Sequence, residues 1–357
     1  MAFTATQLST VVQNAYNNDK PILLGDNALD NSDLALSISS YGWTGGWTAV
    51  MLVGRPFGDY AGIPGVRAND TTYPPTRAFD RFTYLRTRAL LPSPLTSTAD
   101  WSFLFRSSTA PFEFDSIAIL NHNFGTLSKQ FGTYGGGNAF IVRIGISDTG
   151  SFGGGWTEVA SFTDPLTDKP LVSFNLSNGA SSPTTFAQFS GVQYGGISIE
   201  CDGSTMGTAE GTFPEIGEIV FGKRMQLLHG PAIPYNDRNT GSDLGGGRVT
   251  GDTGISAAFL RSAGRRSIQA NYTLTSDRDD MLSFYQNDIS QGQKQFLYVP
   301  RGSRAEFPST YAGAEPGEAF WVSLQESGYI LEVGDTSFDT KLSLDMLESA
   351  PYNTGMV

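Results

Sequence analysis

Phe140-Ile-Val-Arg-Ile-Gly-Ile146 places Phe140, Val142, Ile144 and Ile146 at alternate positions, with Ile141, Arg143 and Gly145 between them. A period of two puts one side of an extended chain in a core and the other toward solvent or a neighbouring subunit. Outward from this stretch the same period returns in Ile268, Ala270, Tyr272 and Leu274, and again in Leu342, Leu344 and Met346. Aromatic residues crowd similar segments: Trp101, Phe103 and Phe105 share one face, Phe82 and Tyr84 another. Turn clusters such as Thr133-Tyr-Gly-Gly-Gly-Asn138 and Gly150-Ser-Phe-Gly-Gly-Gly155 separate the runs. The pattern predicts a mainly β chain.

Helical period is rare. Residues 4–16 set Leu8, Val11, Val12, Ala15 and Tyr16 on one side, which predicts a short helix within an N-terminal arm, residues 1–20. A stronger pattern lies at 277–289, where Met281, Leu282, Tyr285 and Ile289 form an apolar stripe. Ser276 can cap that helix, Asp277, Asp279 and Asp280 suit its positive end, and Gly292 follows it. Turn formers saturate His229–Gly247, so residues 230–247 read as a linker. It divides a large β domain, 21–229, from a smaller one, 248–357, containing two strands, the helix, a further strand and a meander. Tight turns at Glu326-Ser-Gly328 and Gly334-Asp-Thr336 are expected to join the meander strands.

Charge excludes several functions. With 35 acidic against 23 basic residues the net charge is −12, the wrong sign for displacing counterions from nucleic-acid phosphates or for binding an anionic membrane. Glycine and proline make up about 17% of the chain, below the ~25–30% of low-complexity disorder, so a folded protein is expected. The start, Met1-Ala-Phe-Thr-Ala-Thr, lacks the basic flank and apolar core of a secretory signal, and synthesis in a cytoplasm is expected. The longest strictly aliphatic run, Ala49–Val53, is too short to insert in a bilayer.

Little in the sequence suggests catalysis. A zinc site needs several nitrogen or sulfur ligands, and the chain offers only His122, His229 and Cys201, with no two at ligand spacing. Cys201 ends the alternating run Ile197-Ser-Ile-Glu-Cys201 and reads as a small core side chain. Asp26, Asp30 and Asp33 form an oxygen-rich stretch that misses the EF-hand spacing; it reads as a solvated turn, with calcium as the other possibility. No Gly-x-Ser-x-Gly elbow occurs, and the Gly-Gly-Gly triplets lack the lysine of a phosphate loop. No catalytic, cofactor-binding or metal-binding residue is therefore assigned. Tyr41-Gly-Trp-Thr-Gly-Gly-Trp47 sets Trp43 and Trp47 around glycines, either as anchors of a core or subunit interface or as flat platforms for a glycan.

Asp115-Ser-Ile-Ala-Ile-Leu-Asn-His-Asn-Phe124 reads as a buried strand ending in polar residues. Asn121, His122 and Asn123 can hydrogen-bond backbone groups left unpaired at a sheet end, which makes them a candidate loop clamp. Together with Pro214-Glu-Ile-Gly-Glu-Ile-Val-Phe-Gly222, this stretch resembles a galactose-binding-like jelly-roll family that recurs in virion proteins of tailed bacteriophages. A second resemblance, to the tail-tube fold of phage proteins, rests on Arg265-Arg266, Leu274-Thr-Ser-Asp277 with its helix, and Phe296-Leu-Tyr-Val-Pro300. Residues 1–80 match neither pattern.

The resemblances imply an antiparallel jelly-roll β-sandwich followed by a smaller tail-tube-like β domain with one packed helix. They imply a non-enzymatic virion protein of a tail tip or baseplate, similar to distal tail proteins. Its expected partners are its own copies, in a hexameric ring, and other tail proteins. The alternative is a receptor- or glycan-binding module displayed on the virion, using Trp43 and Trp47.

Overall fold

The computed structural model describes residues 20–25, 48–53, 66–67, 75–81, 83, 85–88, 101–106, 112–131, 140–147, 157–164, 168–173, 189–192, 194–201, 214–228, 236–239, 247–250, 256–259, 266–300, 319–333 and 340–348. The described chain is mainly β, and its paired strands are antiparallel. Strand β1 (Ile22–Leu24) comes first. There follow β2 (Thr48–Val53), β3 (Val66–Arg67), β4 (Thr87–Arg88), β5 (Trp101–Arg106), β6 (Phe112–Phe114) and β7 (Ser116–Leu120). Helix α1 (Phe124–Phe131) leads to β8 (Phe140–Ser147), β9 (Thr157–Thr163), β10 (Leu171–Ser173) and β11 (Phe189–Val192). Next come β12 (Tyr194–Cys201), β13 (Glu215–Ile216), β14 (Glu218–Gly222), β15 (Met225–Gln226), β16 (Asn236–Asn239), β17 (Gly247–Thr250) and β18 (Ser256–Phe259). Strand β19 (Arg266–Leu274), helix α2 (Arg278–Ser283), β20 (Phe296–Val299), β21 (Phe320–Val333) and β22 (Thr340–Glu348) complete the order.

Two compact units emerge, and they are nested rather than consecutive. The larger takes the described residues of 27–223; the smaller takes those of 1–26, 224–304 and 318–357. The larger unit is a jelly-roll sandwich. One layer runs β3-β2-β5-β12-β8-β9 and the other β10-β7-β14, with short pairs β11-β6 and β13-β4. In β8 the alternation is realised: Phe140, Val142 and Ile144 are fully buried while Ile141 and Arg143 are half-exposed. Strands β7, β10 and β14 are buried along their whole length, so both faces of their sheet are covered. A 3-10 turn at Pro75–Phe79 stacks Phe79 on Phe103 of β5, centroids 5.8 Å apart.

The smaller unit is built on a seven-stranded sheet, β15-β1-β20-β21-β22-β19-β16, and also holds the separate pair β17-β18. Its inner face buries Ile268, Ala270, Tyr272, Leu342, Leu344 and Met346 against Met281, Phe284 and Ile289. Each of the Leu, Ile, Met and Phe side chains removed from water contributes roughly 1.5–3 kcal/mol, so the helix is held by packing more than by its length.

Several expectations change. The boundary at 21 moves because β1 pairs with β20 and β15, so residues 22–24 belong to the smaller unit. The sandwich ends before β15, earlier than 229. The expected linker 230–247 contains β16, whose backbone pairs with β19 from Asn236↔Gln269 to Asn239↔Arg266. Turn-forming side chains do not prevent a short strand from completing a sheet edge. The turn at 326–328 is absent: β21 runs through, with a register shift between Leu324 and Tyr329. Asp277, not Ser276, stands at the N-cap of α2, and its carboxylate accepts from Thr275 N at 2.8 Å and Leu228 N at 3.0 Å. Beyond Ser283 the helix widens into a π-turn, Phe284–Asp288, closed by Ile289 N donating to Phe284 O. Helix α1 is an element beyond those the sequence pattern predicts. Phe82 and Tyr84 lie outside the described residues, but Thr83 between them sits in a turn rather than a strand. The helix expected at 4–16 and the turn at 334–336 also lie outside them.

Candidate functional site

The polar residues that close β7 meet segments from three other parts of the chain. Asn121 adopts φ 49°, a left-handed conformation that asparagine tolerates, and this turns the chain out of the strand. Its Oδ1 accepts from Arg86 Nη2 at 2.7 Å, and its Nδ2 donates to the carbonyl of Thr83. Arg86 also pairs with Glu215, Nη1 to Oε2 at 2.7 Å, both side chains being about one-fifth to one-quarter exposed. Asn123 Oδ1 accepts from Glu215 N at 2.9 Å, while the Asn123 carbonyl accepts from Leu127 N at 3.0 Å and starts α1.

Gly217 makes this closeness possible. Its N–H is shared between the carbonyls of Leu120 and Asn121, each at 3.1 Å. A Cβ there would collide with the Thr83 carbonyl oxygen and lie 2.8 Å from Asn121 Cβ. Next to it, the buried Glu218 accepts from Arg81 N at 2.9 Å.

His122 is buried at 1% exposure, stacked on Phe124 with centroids 4.6 Å apart. Its Nδ1 accepts from Phe124 N at 3.1 Å, which makes the ring neutral with the proton on Nε2. Nε2 closes no hydrogen bond of good geometry. Burial lowers its pKa to about 4; Asp168 and the Lys169 backbone oppose the shift, and Arg86 adds slightly to it. Asp168 is engaged with the first turn of α1, accepting from Thr126 N at 2.9 Å and Thr126 Oγ1 at 2.6 Å.

The arrangement brings Asn121, His122 and Asn123 together with Arg86, Asp168, Glu215 and Gly217. Its chemistry is that of a clamp: the named polar groups bind one another or backbone, and the imidazole is sealed from solvent. The partners of the Asn-His-Asn stretch gave no signal of their own, apart from Glu215 and Gly217 within the quoted segment 214–222. Trp43, Trp47, Asp26, Asp30, Asp33 and His229 lie outside the described residues. The backbone of Cys201 ends β12. Among the described residues no group of His, Cys, Asp and Glu could hold a metal ion, and no helix is long and apolar enough to cross a membrane.

No family model matches the chain, and no curated protein is similar to it. Among solved structures, a chitosan-binding module of a chitosanase/glucanase from Paenibacillus sp. IK-5 is 11% identical, covering 56% of this chain and 99% of its own, with a TM-score of 0.30. The family 32 carbohydrate-binding module of C. perfringens NanJ, solved with galactose, is 12% identical over 57% of this chain and 99% of its own, TM-score 0.30. A third, from a family 31 glycoside hydrolase of Clostridium perfringens, is 15% identical over 44% and 86%, TM-score 0.24. At these values the likenesses assign neither a ligand nor a site.

Proposed function

We propose that this protein acts by recognition rather than catalysis, as a glycan-binding jelly roll carried by a smaller β unit. The observation that carries the reading is the clamp. Side-chain bonds from Arg86, Asn121, Asn123 and Asp168 fix four sequence-distant segments at loops and strand ends of the sandwich. Binding residues characteristically sit on loops held by a rigid scaffold. The ligand class follows from composition: aromatic residues at 12% with charged residues at only 16% suit stacking on neutral sugar rings better than pairing with phosphates. Trp43 and Trp47 are the proposed platforms. In chain order the sandwich is inserted between β1 and β15, which are neighbours in the smaller sheet, Ile22↔Gln226.

A glycan array probed with the purified full chain tests this, alongside a reducing-sugar assay on the same glycans. Binding to neutral glycans without release of sugar is expected. A folded chain that binds none of them, or that cleaves them, overturns the reading.

A second reading is a structural ring component of a bacteriophage tail tip, in the host cytoplasm during assembly and then in the virion. One observation favours it: the two segments that resemble virion proteins pair directly, β7 with β14 from Glu218↔Leu120 to Gly222↔Ser116. In such a ring, proposed as a hexamer, the terminal strands β15 and β16 of the smaller sheet would meet neighbouring copies or other tail proteins.

A further inference from the structure

The outer face of the smaller sheet is not uniform along its strands. At one end Gln325 Nε2 donates to Ser267 Oγ at 3.4 Å and to Asp345 Oδ1 at 3.3 Å, so that row is bonded across three strands. Beyond the register shift of β21 the face sinks into a hollow of about 370 Å³, lined by Asn271, Thr273, Ile330, Glu332, Lys341 and Ser343. Glu332 and Lys341 stand opposite one another in register, a placement where unlike charges usually pair. Among the described residues they close no ion pair, and the side chains of Asn271, Thr273 and Ser343 form no hydrogen bond. Ile330, on the neighbouring position, is 49% exposed, the one large apolar side chain exposed among the described residues.

We propose that this hollow is where two copies of the chain associate, sheet face to sheet face about a two-fold axis. A two-fold contact requires a self-complementary surface, and this one has a cation and an anion on adjacent strands with an apolar centre beside them. The acid of one copy meets the lysine of the other, and Ile330 packs on its symmetry mate. Each copy carries −12, so contact between copies is favoured where opposite charges can meet across it, as Glu332 and Lys341 allow. The proposal is independent of the glycan reading and of any ring built through strand edges, which are different surfaces of the same sheet.

Light scattering of the full chain over a rising concentration series tests it. The expected result is a mass that doubles, from one copy to two or from a ring to a stacked pair of rings. Ile330→Asp is expected to abolish the doubling and Lys341→Glu to weaken it at least tenfold. Combining Lys341→Glu with Glu332→Lys is expected to restore it, because both cross-pairs are re-formed with reversed sign. Circular dichroism and thermal melting of the variants establish that each remains folded, as substitutions at exposed positions should. A mass that never doubles, or a doubling unaffected by Ile330→Asp, overturns the proposal. So does a double variant no better than the single one.

Discussion

In the clamp of the sandwich, Arg86, Asn121, Asn123 and Glu215 hold one another and the backbone through polar atoms 2.7–2.9 Å apart. Beneath the seven-stranded sheet, Leu23, Met281, Phe284, Phe296 and Leu344 meet through apolar surface, as in the edge-to-face contact of Phe284 with Phe296 at 5.6 Å. Polar bonds are directional, so the clamp works only if several backbone segments keep fixed spacing. Apolar packing is non-directional and adjusts through side-chain rotation. The two regions should therefore fail differently, and each prediction below is a way to expose that difference.

The largest effect is expected at the glycines. Gly217→Ala drives a methyl into the Thr83 carbonyl oxygen and Asn121 Cβ, neither of which can rotate away, and should cost about 3 kcal/mol or more. Gly25→Ala meets Phe284 Cε2 at 2.7 Å and Ile289 Cγ2 at 2.8 Å, both side-chain atoms, and should cost less, about 1–3 kcal/mol. Urea unfolding of both variants gives the comparison; equal losses would remove the distinction between the regions.

Acid is next. The folded His122 titrates at about 4 against 6.5 when unfolded, so between those values the unfolded state binds more protons. Stability from this group is complete above pH 6.5 and falls by about 3 kcal/mol as pH drops to 4, with no further loss below. His122→Phe should flatten that part of the pH profile, while losing about 1 kcal/mol at neutral pH with the bond from Phe124 N–H. Thermal melts at intervals from pH 7 to 4 measure both.

Arg86→Ala should have a smaller effect, about 1–2 kcal/mol, since the partly exposed ion pair with Glu215 contributes little and the bond to Asn121 most of the loss. Chemical denaturation reads it, and Arg86→Lys should recover only part, because lysine cannot present two fork donors at once. In the apolar unit the smallest signal is spectroscopic. Burial, then Tyr285 stacked 3.8 Å away, pushes the Tyr329 phenol up to about 12. One tyrosine should therefore ionise later than exposed ones in an alkaline absorbance titration, and Tyr329→Phe should delete that late step.

Much of the local structure was legible because side-chain period records burial directly. Phe140 to Ile146, Ile268 to Leu274 and Leu342 to Met346 all form strands with the alternating face inward. Long-range placement was not legible. Ile22–Leu24 sits in the smaller sheet because its partners Val299 and Gln226 lie far along the chain, and no local pattern encodes them. Asn236–Asn239 is a strand through backbone pairing alone, which residue type does not reveal. At the clamp, Asn121, His122 and Asn123 advertise hydrogen bonding to loops, but Arg86 lies 35 residues from Asn121 and 129 from Glu215, so the partners could not be named.

The central claim, a clamped sandwich that recognises sugar, is tested most directly by calorimetric titration of the full chain with the glycan that binds best on the array. Saturable binding at pH 7 that is lost in Trp43→Ala/Trp47→Ala, while that variant melts as the parent does, is the predicted result. Undiminished binding in the folded double variant, or no binding by the parent chain, would contradict it.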